Sequence, residues 1–231
     1  MRFGLFSVKR LRNPRLSSGR QALRWAHFGL IPPPDIAGQA PASQVLILPG
    51  FLDAAFCERV RIAMGRGTSE FAEVLHEDFL VDDEARRAAM IEIDAATMAV
   101  VESRLEAARD ELANKSGLAL GAREGVSFVR YGAGGFYRRH RDRAIGSCWP
   151  EAAERVLSVV LFLNNSKTHA GAGEFVGGEL LIFAETPAGH PIHIVPRRGL
   201  LVAFPSSAPH EVLPVRAGIR DVIVDWFTQS G

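Results

Sequence analysis

His140 and Asp142 stand two residues apart and carry side chains that bind metal ions. In a β-strand, residues i and i+2 point to the same face, so the imidazole and the carboxylate would lie side by side. Together they supply two of the three ligands of a 2-His-1-carboxylate facial triad, the arrangement that suits non-haem Fe(II). The pair is weak evidence by itself, because a chain with seven His residues easily contains a His-x-Asp by chance.

The third ligand must come from far along the chain, and His210 is the best candidate. It follows Pro209, which breaks the preceding run, so His210 is expected to open a new strand and to face the interior. The remaining histidines fit less well, because they lie in loops, in the N-terminal tail, beside an acidic stretch or within an alternating strand: His27, His76, His169, His190 and His193.

Arg220 opens an alternating run that ends near Phe227 and predicts a strand. Its side chain shares a face with Val222, Val224 and Trp226, whereas the intervening residues point the other way. A guanidinium on an otherwise apolar inward face is costly unless an anion pairs with it. Because the planar guanidinium matches a carboxylate bidentately, Arg220 indicates a carboxylate ligand.

Two helices are predicted in the N-terminal half of the chain. After a short apolar run at 45–48, Asp53 is a plausible N-cap for a helix over about 54–64. A longer helix is predicted from Asp83 to Lys115, ended by Gly117. The residues expected on the inward faces of these helices are Phe56, Val60 and Ile62 or Ala63, and then Met98, Val101, Leu105, Ala108 and Leu112.

Short β-branched and aromatic runs alternate with Gly, Pro and Asn in the rest of the chain. Helices followed by about seven short strands predict an α+β protein whose C-terminal half is a sandwich or barrel. The glycine-rich stretch from Ser166 to Gly178 is not a phosphate-binding loop, because no Lys-Ser/Thr follows its glycines. The predicted strands are 125–131, 156–163, 178–183, 192–195, 199–204, 211–215 and 220–227.

Composition excludes several classes of protein. The formal net charge of +1 hides seven basic residues in 1–34, which leave 20 basic against 26 acidic residues, or −6, in the remainder. That acidic remainder disfavours a nucleic-acid coat. Two cysteines exclude a disulfide framework, and no apolar run is long enough to span a bilayer.

The domain organisation follows from the same counts. We expect a basic, disordered N-terminal extension over 1–43 and one domain over 44–231 with a β core at about 124–228. The extension also has the Arg-rich, acid-poor composition of an organelle transit peptide. The thiols suit a reducing compartment, so we expect a cytoplasmic protein, with organelle targeting as the alternative.

Several motifs occur in a fixed order over about 100 residues, at the spacing of a known family. This segment, Phe128 to Phe227, resembles the Fe(II)- and 2-oxoglutarate-dependent dioxygenases of the prolyl 4-hydroxylase-like group. The matching motifs are Tyr131-Gly-Ala-Gly-Gly-Phe-Tyr137, His140-x-Asp142, Arg155 with Val159 to Asn164, Gly177-Gly-Glu-Leu, Pro196-x-x-Gly199, His210-Glu-Val-x-Pro214, and Arg220 with Trp226.

The resemblance implies a double-stranded β-helix (a jelly roll, cupin-like), with N-terminal helices packed on one sheet. It implies that His140, Asp142 and His210 hold Fe(II) and that Arg220 binds the distal carboxylate of 2-oxoglutarate. Tyr131 is then expected to line the co-substrate pocket. Some relatives have a Tyr where this chain has Phe162, so Arg220 either acts alone or uses another donor, with Ser158 as the candidate.

The function implied is hydroxylation of an unactivated C–H bond, with O2 as oxidant and succinate and CO2 as co-products. The leading substrate is a prolyl residue in a peptide or protein, and the alternative is a free amino acid or small metabolite. A non-catalytic jelly-roll binding module is the competing class. Ascorbate is an expected auxiliary reductant, and nucleic acid is disfavoured because related demethylases carry two arginines six apart, whereas Arg216 and Arg220 are four apart.

Overall fold

β-Strands make up most of the secondary structure. The computed structural model describes residues 45–72, 74–75, 79–80, 84–144, 150–183 and 190–230. The expected extension over 1–43 therefore lies outside the described residues. The strands are β1 (Leu46–Leu48), β2 (Thr68–Phe71), β3 (Val74–Leu75), β4 (Phe79–Leu80), β5 (Arg86–Arg87), β6 (Ala89–Glu92), β7 (Leu120–Arg123), β8 (Ser127–Tyr131), β9 (Phe136–His140), β10 (Arg155–Phe162), β11 (Phe175–Gly177), β12 (Leu180–Ile182), β13 (Ile192–Ile194), β14 (Leu201–Pro205), β15 (His210–Val212), β16 (Val215–Gly218) and β17 (Arg220–Gln229).

Two antiparallel sheets form the body of the fold. The major sheet has the order β1-β14-β10-β17-β8-β6-β2, with β7 paired to β17, and the minor sheet has the order β13-β12-β15-β9-β5. Two short two-stranded antiparallel pairs, β11 with β16 and β3 with β4, complete the described strands. From β8 onward the chain crosses repeatedly between the two sheets, as in a jelly roll, and the expected fold class is confirmed.

The central strands of the major sheet are buried on both faces. On β10, Leu157 and Leu161 belong to one apolar cluster, whereas Val160 and Phe162 belong to a second cluster shared with the minor sheet. Strand β17 alternates in the same way, and Arg220 falls on the face turned toward the minor sheet, together with Val222. The alternation of β17 predicted from the sequence is therefore present.

Three helices pack against the outer face of the major sheet. They are α1 (Ala54–Arg66), α2 (Ala95–Ala107) and α3 (Arg109–Ser116), and a short α4 (Pro150–Glu154) precedes β10. As predicted, the Asp53 carboxylate caps α1 by accepting a hydrogen bond from the Phe56 amide at 2.7 Å. Phe56 and Val60 are buried, but Ile62 is exposed and Met64 takes the inward position instead. Within the described ranges, no helix has the length and apolarity needed to cross a membrane.

The long helix predicted from Asp83 to Lys115 is wrong at its start and in its middle. Its first residues form β5 and β6, because Arg86 and Arg87 pair with β9, Ala89–Ile91 pair with β8, and this tertiary pairing overrides local helix propensity. The helix begins only after Asp94, whose carboxylate accepts from the Thr97 amide at 2.8 Å. It breaks at Ala108 and ends at Gly117, which adopts the left-handed conformation with φ of 69°.

The strand predictions hold for the longer strands of the C-terminal half and fail for short strands. Each of the seven predicted runs overlaps a strand, although 211–215 is divided between β15 and β16. The sequence patterns missed eight strands of at most five residues each: β2, β3, β4, β5, β6, β7, β9 and β11.

A buried carboxylate ties α1 to the major sheet. Asp221 is fully buried, and its oxygens accept hydrogen bonds from Arg130 on β8 at 2.7 and 3.1 Å and from Arg61 on α1 at 3.2 Å. The backbone amide of Asp221 donates to the Asn164 side chain at 3.1 Å. The charge of Asp221 is thus compensated on the helix side of β17, and its neighbour Arg220 points the opposite way.

Candidate metal centre and cofactor pocket

Three residues with metal-binding side chains converge inside the barrel. His140 ends β9, Asp142 follows two residues later, and His210 opens β15, whose first residue pairs with His140 across the minor sheet. One ligand atom from each lies within 4.8 Å of the others. The Nε2 atoms of His140 and His210 are 3.6 and 3.5 Å from the Asp142 carboxylate oxygens. The three residues that the sequence pattern singled out are therefore brought together.

The orientation of both imidazoles is set by the backbone. The Nδ1 atom of His140 lies 2.8 Å from the Arg138 carbonyl, and the Nδ1 of His210 lies 3.0 Å from the Ala208 carbonyl. Because a carbonyl only accepts, each contact places the ring proton on Nδ1 and leaves the Nε2 lone pair toward the centre of the cluster. Sequence reasoning did not identify these two carbonyls, which lie two residues before each histidine.

The Asp142 carboxylate is held from several directions. Ser158 donates its hydroxyl to Oδ2 at 2.6 Å and lies 3.0 Å from the Ser206 hydroxyl. The backbone amide of Asp142 donates to the Ser206 carbonyl at 3.1 Å. Burial raises the pKa of Asp142, but the neighbouring His210 and His140 and the Ser158 hydrogen bond together hold this pKa well below its usual value. The group is therefore an anion ready to bind a cation.

Burial and the neighbouring His140 together lower the pKa of His210 to about 4, so its imidazole is neutral at physiological pH. A neutral imidazole is the form that binds metal. One anionic carboxylate and two histidines, of which His210 is neutral, form a donor set that suits a divalent first-row metal such as Fe(II).

Arg155 stabilises the metal end of the site. From the sequence it was identified only as part of a motif. It forms a bidentate ion pair with Glu124, both contacts at 2.6 Å, and donates to the Asp142 carbonyl at 3.2 Å. Its guanidinium also lies 3.9 Å from the Trp226 ring centroid. An arginine at the start of an otherwise apolar predicted strand was the sequence signal that identified Arg220. The same signal was available for Arg155.

Arg220 supplies a buried cation at the far end of the pocket. Its side chain is 1% exposed, and its Nε donates to the Gly178 carbonyl at 2.9 Å. Among the described residues, neither of its terminal nitrogens has a hydrogen-bond partner. Burial lowers its pKa to about 10. Two buried donors without an acceptor fit a carboxylate that accepts from both at once.

Two aromatic rings flank this guanidinium. Its central carbon lies 4.8 Å from the Tyr131 ring centroid and 5.2 Å from that of Phe162. Tyr131 is buried and lines the cavity. Gly178 allows the close approach of the arginine stem, because a Cβ at this residue would lie 2.9 Å from the Arg220 side chain.

Ser158 requires a correction. It was the candidate donor beside Arg220, but on β10 it pairs with Trp226, whereas Phe162 pairs with Val222. Arg220 is therefore about six residues farther along the strands, or roughly 20 Å. The Ser158 hydroxyl acts on the metal-ligand carboxylate instead, and Tyr131 is the polar side chain near Arg220.

A β-bulge in β9 shapes the wall of the pocket. Val212 pairs with Tyr137 and His210 pairs with His140, so three steps on β9 match two on β15. Both Tyr137 and His140 consequently face the pocket, and their rings stack with centroids 3.5 Å apart. Burial raises the pKa of Tyr137 to about 12.

One cavity of about 370 Å³ joins the two ends of the site. The His/Asp cluster and Arg220 both line it, with Tyr131, Tyr137 and Trp226 along its walls. The 2-His-1-carboxylate cluster lies within a double-stranded β-helix and shares a cavity with a buried guanidinium. This combination defines a mononuclear metal site with a pocket for an anionic ligand.

Comparison with known proteins points to one family. Residues 126–228 match the 2OG-Fe(II) oxygenase superfamily. A PKHD-type hydroxylase of Nitrobacter winogradskyi is 39% identical over 106 residues, which cover 45% of this chain and 42% of that protein. The matched segment thus spans about two fifths of the length of this relative.

Solved structures agree on the fold. A Pseudomonas putida prolyl-4-hydroxylase superposes with a TM-score of 0.64 and 24% identity, over 82% of this chain and 94% of that one. A prolyl hydroxylase of Trichoplax adhaerens, solved with a hypoxia inducible factor oxygen degradation domain peptide fragment, gives a TM-score of 0.64 and 20% identity, over 80% and 83% of the two chains.

Residues 126–228 therefore resemble a 2OG-Fe(II) oxygenase domain. The family implies Fe(II) as the metal and 2-oxoglutarate as the co-substrate, as the sequence resemblance also implied. The residues present fit both groups: the His/Asp donor set suits Fe(II), and the two free donors of Arg220 suit the distal carboxylate of a dicarboxylate.

Proposed function

We propose that this protein is an Fe(II)- and 2-oxoglutarate-dependent dioxygenase that hydroxylates an unactivated C–H bond, with a prolyl residue in a peptide or protein as the leading substrate. The observation that carries the proposal is the guanidinium of Arg220, which is buried with two unused donors in the same cavity as the His/Asp cluster. A binding module without catalysis has no need for both features in one cavity.

The roles of the residues follow from their positions. His140, Asp142 and His210 would hold Fe(II). Fe(II), together with 2-oxoglutarate and O2, supplies the oxidising power for hydroxylation and yields succinate and CO2. Arg220 would bind the distal carboxylate of the co-substrate and so fix its direction in the pocket, with Tyr131 beside it.

Other side chains prepare the site and transfer no proton. Ser158 and Arg155 hold Asp142 in place, which limits the ways in which its carboxylate can rotate away from the metal. The rings of Tyr137 and Trp226 line the cavity and exclude water from the reacting centre. No side chain is needed as a general base, because the metal and the co-substrate supply the chemistry.

Likeness to solved structures supports the prolyl substrate. The solved structures of similar fold include a prolyl-4-hydroxylase and a prolyl hydroxylase in complex with a peptide fragment. Use of ascorbate and a cytoplasmic location also stay predictions.

The experiment that tests the function is an anaerobic titration with Fe(II) and 2-oxoglutarate, followed by addition of O2. A visible charge-transfer band on chelation and release of succinate with O2 are the expected results. A protein that binds Fe(II) but shows neither band nor succinate would contradict the proposal. A panel of proline-containing peptides, free proline, free lysine and methylated oligonucleotides then identifies the substrate class from the increase in succinate release.

A further inference from the structure

Glu124 lies behind the wall of the cavity and contacts two residues that line it. Its carboxylate accepts both hydrogen bonds of the Arg155 ion pair at 2.6 Å, and its backbone amide donates to the Trp226 carbonyl at 3.0 Å. Arg155 and Trp226 line the cavity, whereas Glu124 is not among the described residues that do so. Glu124 therefore reaches the site only through these two neighbours.

The turn that carries Glu124 is fixed from the opposite face of β17. Glu124 stands between β7 and β8, and the residues on either side of it both donate to the buried Asp225 carboxylate. Arg123 donates through its guanidinium at 2.5 Å, and Gly125 through its backbone amide at 3.1 Å. Because Asp225 and Trp226 are consecutive on β17, their side chains point to opposite faces. The Glu124 backbone is thus held from the helix side while its side chain extends toward the cavity wall.

A β-bulge at the start of β10 brings Arg155 to the same face as Trp226. Arg155 pairs with Thr228 and Leu157 pairs with Phe227, so two steps on β10 match one step on β17. Without the extra residue, Arg155 would share a face with Leu157, which packs in the core on the helix side. The bulge directs the guanidinium to the Trp226 ring instead, 3.9 Å from its centroid.

The remaining terminal nitrogen of Arg155 connects this ion pair to the metal centre. It donates to the Asp142 backbone carbonyl at 3.2 Å, and the Asp142 carboxylate contacts both His140 and His210. A positive charge therefore lies against the residue that would bind a divalent cation, and like charges repel. Arg155 is only 5% exposed, so water screens little of this repulsion, and the Glu124 carboxylate offsets it.

We propose that Glu124 is a positioning residue for the metal centre, which neutralises Arg155 and holds its guanidinium against the Trp226 ring and the Asp142 backbone; this inference rests on the proposed function, in which the cluster holds Fe(II). If Glu124 loses its charge, Arg155 should repel the metal ion and compete with it for the Asp142 carboxylate. Without Arg155, by contrast, the charge of Glu124 should no longer affect metal binding.

Metal titration of the full chain tests the proposal and needs no turnover. Mn(II) gives the affinity, and the visible absorption of bound Co(II) reports the geometry of the ligands. Glu124→Gln keeps the shape of the side chain and should raise the Kd for Mn(II) about tenfold and change the Co(II) spectrum. Glu124→Asp keeps the charge and should recover most of the affinity. In an Arg155→Met protein, the addition of Glu124→Gln should change the Kd by less than about twofold.

The matched control is Glu106→Gln. Glu106 lies on α2 and forms ion pairs with Arg109 and Arg123, so its substitution removes a Glu–Arg contact beside the same turn but outside the cavity wall. It should leave the Kd for Mn(II) unchanged even where it lowers the Tm. With Mn(II) saturating, Glu124→Gln should bind 2-oxoglutarate within about twofold of the wild type, because Arg220 lies at the other end of the cavity.

The proposal is overturned if Glu124→Gln binds Mn(II) as tightly as the wild type, even with a lower Tm, because Glu124 would then act on stability alone. An equal loss of affinity in Glu106→Gln would also overturn it, and so would a tenfold effect of Glu124→Gln that persists in the Arg155→Met background. The proposed function fails by a separate result, the absence of succinate with O2, and the metal affinities would still be measurable in that case.

Discussion

Replacing Arg220 with methionine should weaken co-substrate binding and stabilise the ligand-free protein at the same time. The guanidinium is 1% exposed and, among the described residues, its two terminal nitrogens have no partner, so the ligand-free fold carries the cost of burying a charge. Methionine has similar length and no polar group to satisfy. The Arg220→Met variant therefore separates the stability cost of burying this cation from its contribution to co-substrate binding.

The expected magnitudes come from the burial of the charge. Loss of a bidentate, charge-assisted contact to a carboxylate should cost about 3 kcal/mol of binding, or roughly a hundredfold in the Kd of 2-oxoglutarate. Removal of an uncompensated buried cation should raise the free energy of unfolding of the ligand-free protein by about 2 kcal/mol. For a domain of this size that corresponds to roughly 4–8 °C in Tm.

The assay is thermal unfolding with and without Mn(II) and 2-oxoglutarate, together with calorimetric titration of the co-substrate. The wild-type protein should gain stability from 2-oxoglutarate, and the variant should gain almost none at the same concentration. Arg216→Met, at an exposed position on the preceding strand, is the matched control. A ligand-free Arg220→Met protein that unfolds at a lower temperature than the wild type would refute the reasoning, and so would an unchanged Kd.

Three more outcomes follow from individual contacts. Ser158→Ala should lower the affinity for Mn(II) or Co(II) about 10- to 100-fold, because the ligand carboxylate loses its 2.6 Å hydrogen bond, and Ser158→Thr should restore it; equal metal affinity in all three proteins would contradict this. Burial lowers the pKa of His210 from 6.5 to about 4, so the unfolded chain binds more protons between these values. Urea unfolding of the metal-free protein should therefore show stability that falls as pH drops below 6.5, by at most about 1.4 kcal/mol per pH unit, and the slope should flatten in His210→Gln. Gly199→Ala should cost about 2 kcal/mol or more, because φ is 77° and a Cβ would lie 2.1 Å from the Leu52 carbonyl oxygen, whereas Gly132→Ala, with open space around it, should cost little.

The sequence indicated the residues of the cluster but not the way in which the chain brings them together. The His140-x-Asp142 spacing predicted two ligands on one face of a strand, whereas β9 ends at His140 and Asp142 lies in the bend that follows. Pro209 marked the start of the strand that carries His210. The β-bulge in β9 left no sequence signal, since Arg138 and Arg139 fit a polar surface in any register. Tyr137 could therefore not be placed beside His140 from periodicity.

The errors in the fold have a common physical cause. The segment before Asp94 was included in the predicted helix, yet Ala89–Ile91 pair with β8 in the major sheet. A short strand that depends on a distant partner has no local signal of its own. Ser158 was assigned to the wrong end of β10 for a related reason. A strand period fixes which face a side chain occupies, but only the pairing register fixes how far along the barrel it lies.

The buried contact of Asp221 with Arg61 and Arg130 bears on how the domain folds and unfolds. If α1 left the sheet, Arg61 would leave with it, and a fully buried carboxylate would lose one of its two cations. Detachment of the helix is thus penalised by charge as well as by lost apolar contact. The helix and the barrel should open as one cooperative unit and not as a peripheral layer over a separate core. Arg220 is adjacent to Asp221 on β17. The ion pairs of Asp221 on the helix side of this strand therefore also hold the backbone of the co-substrate pocket in place.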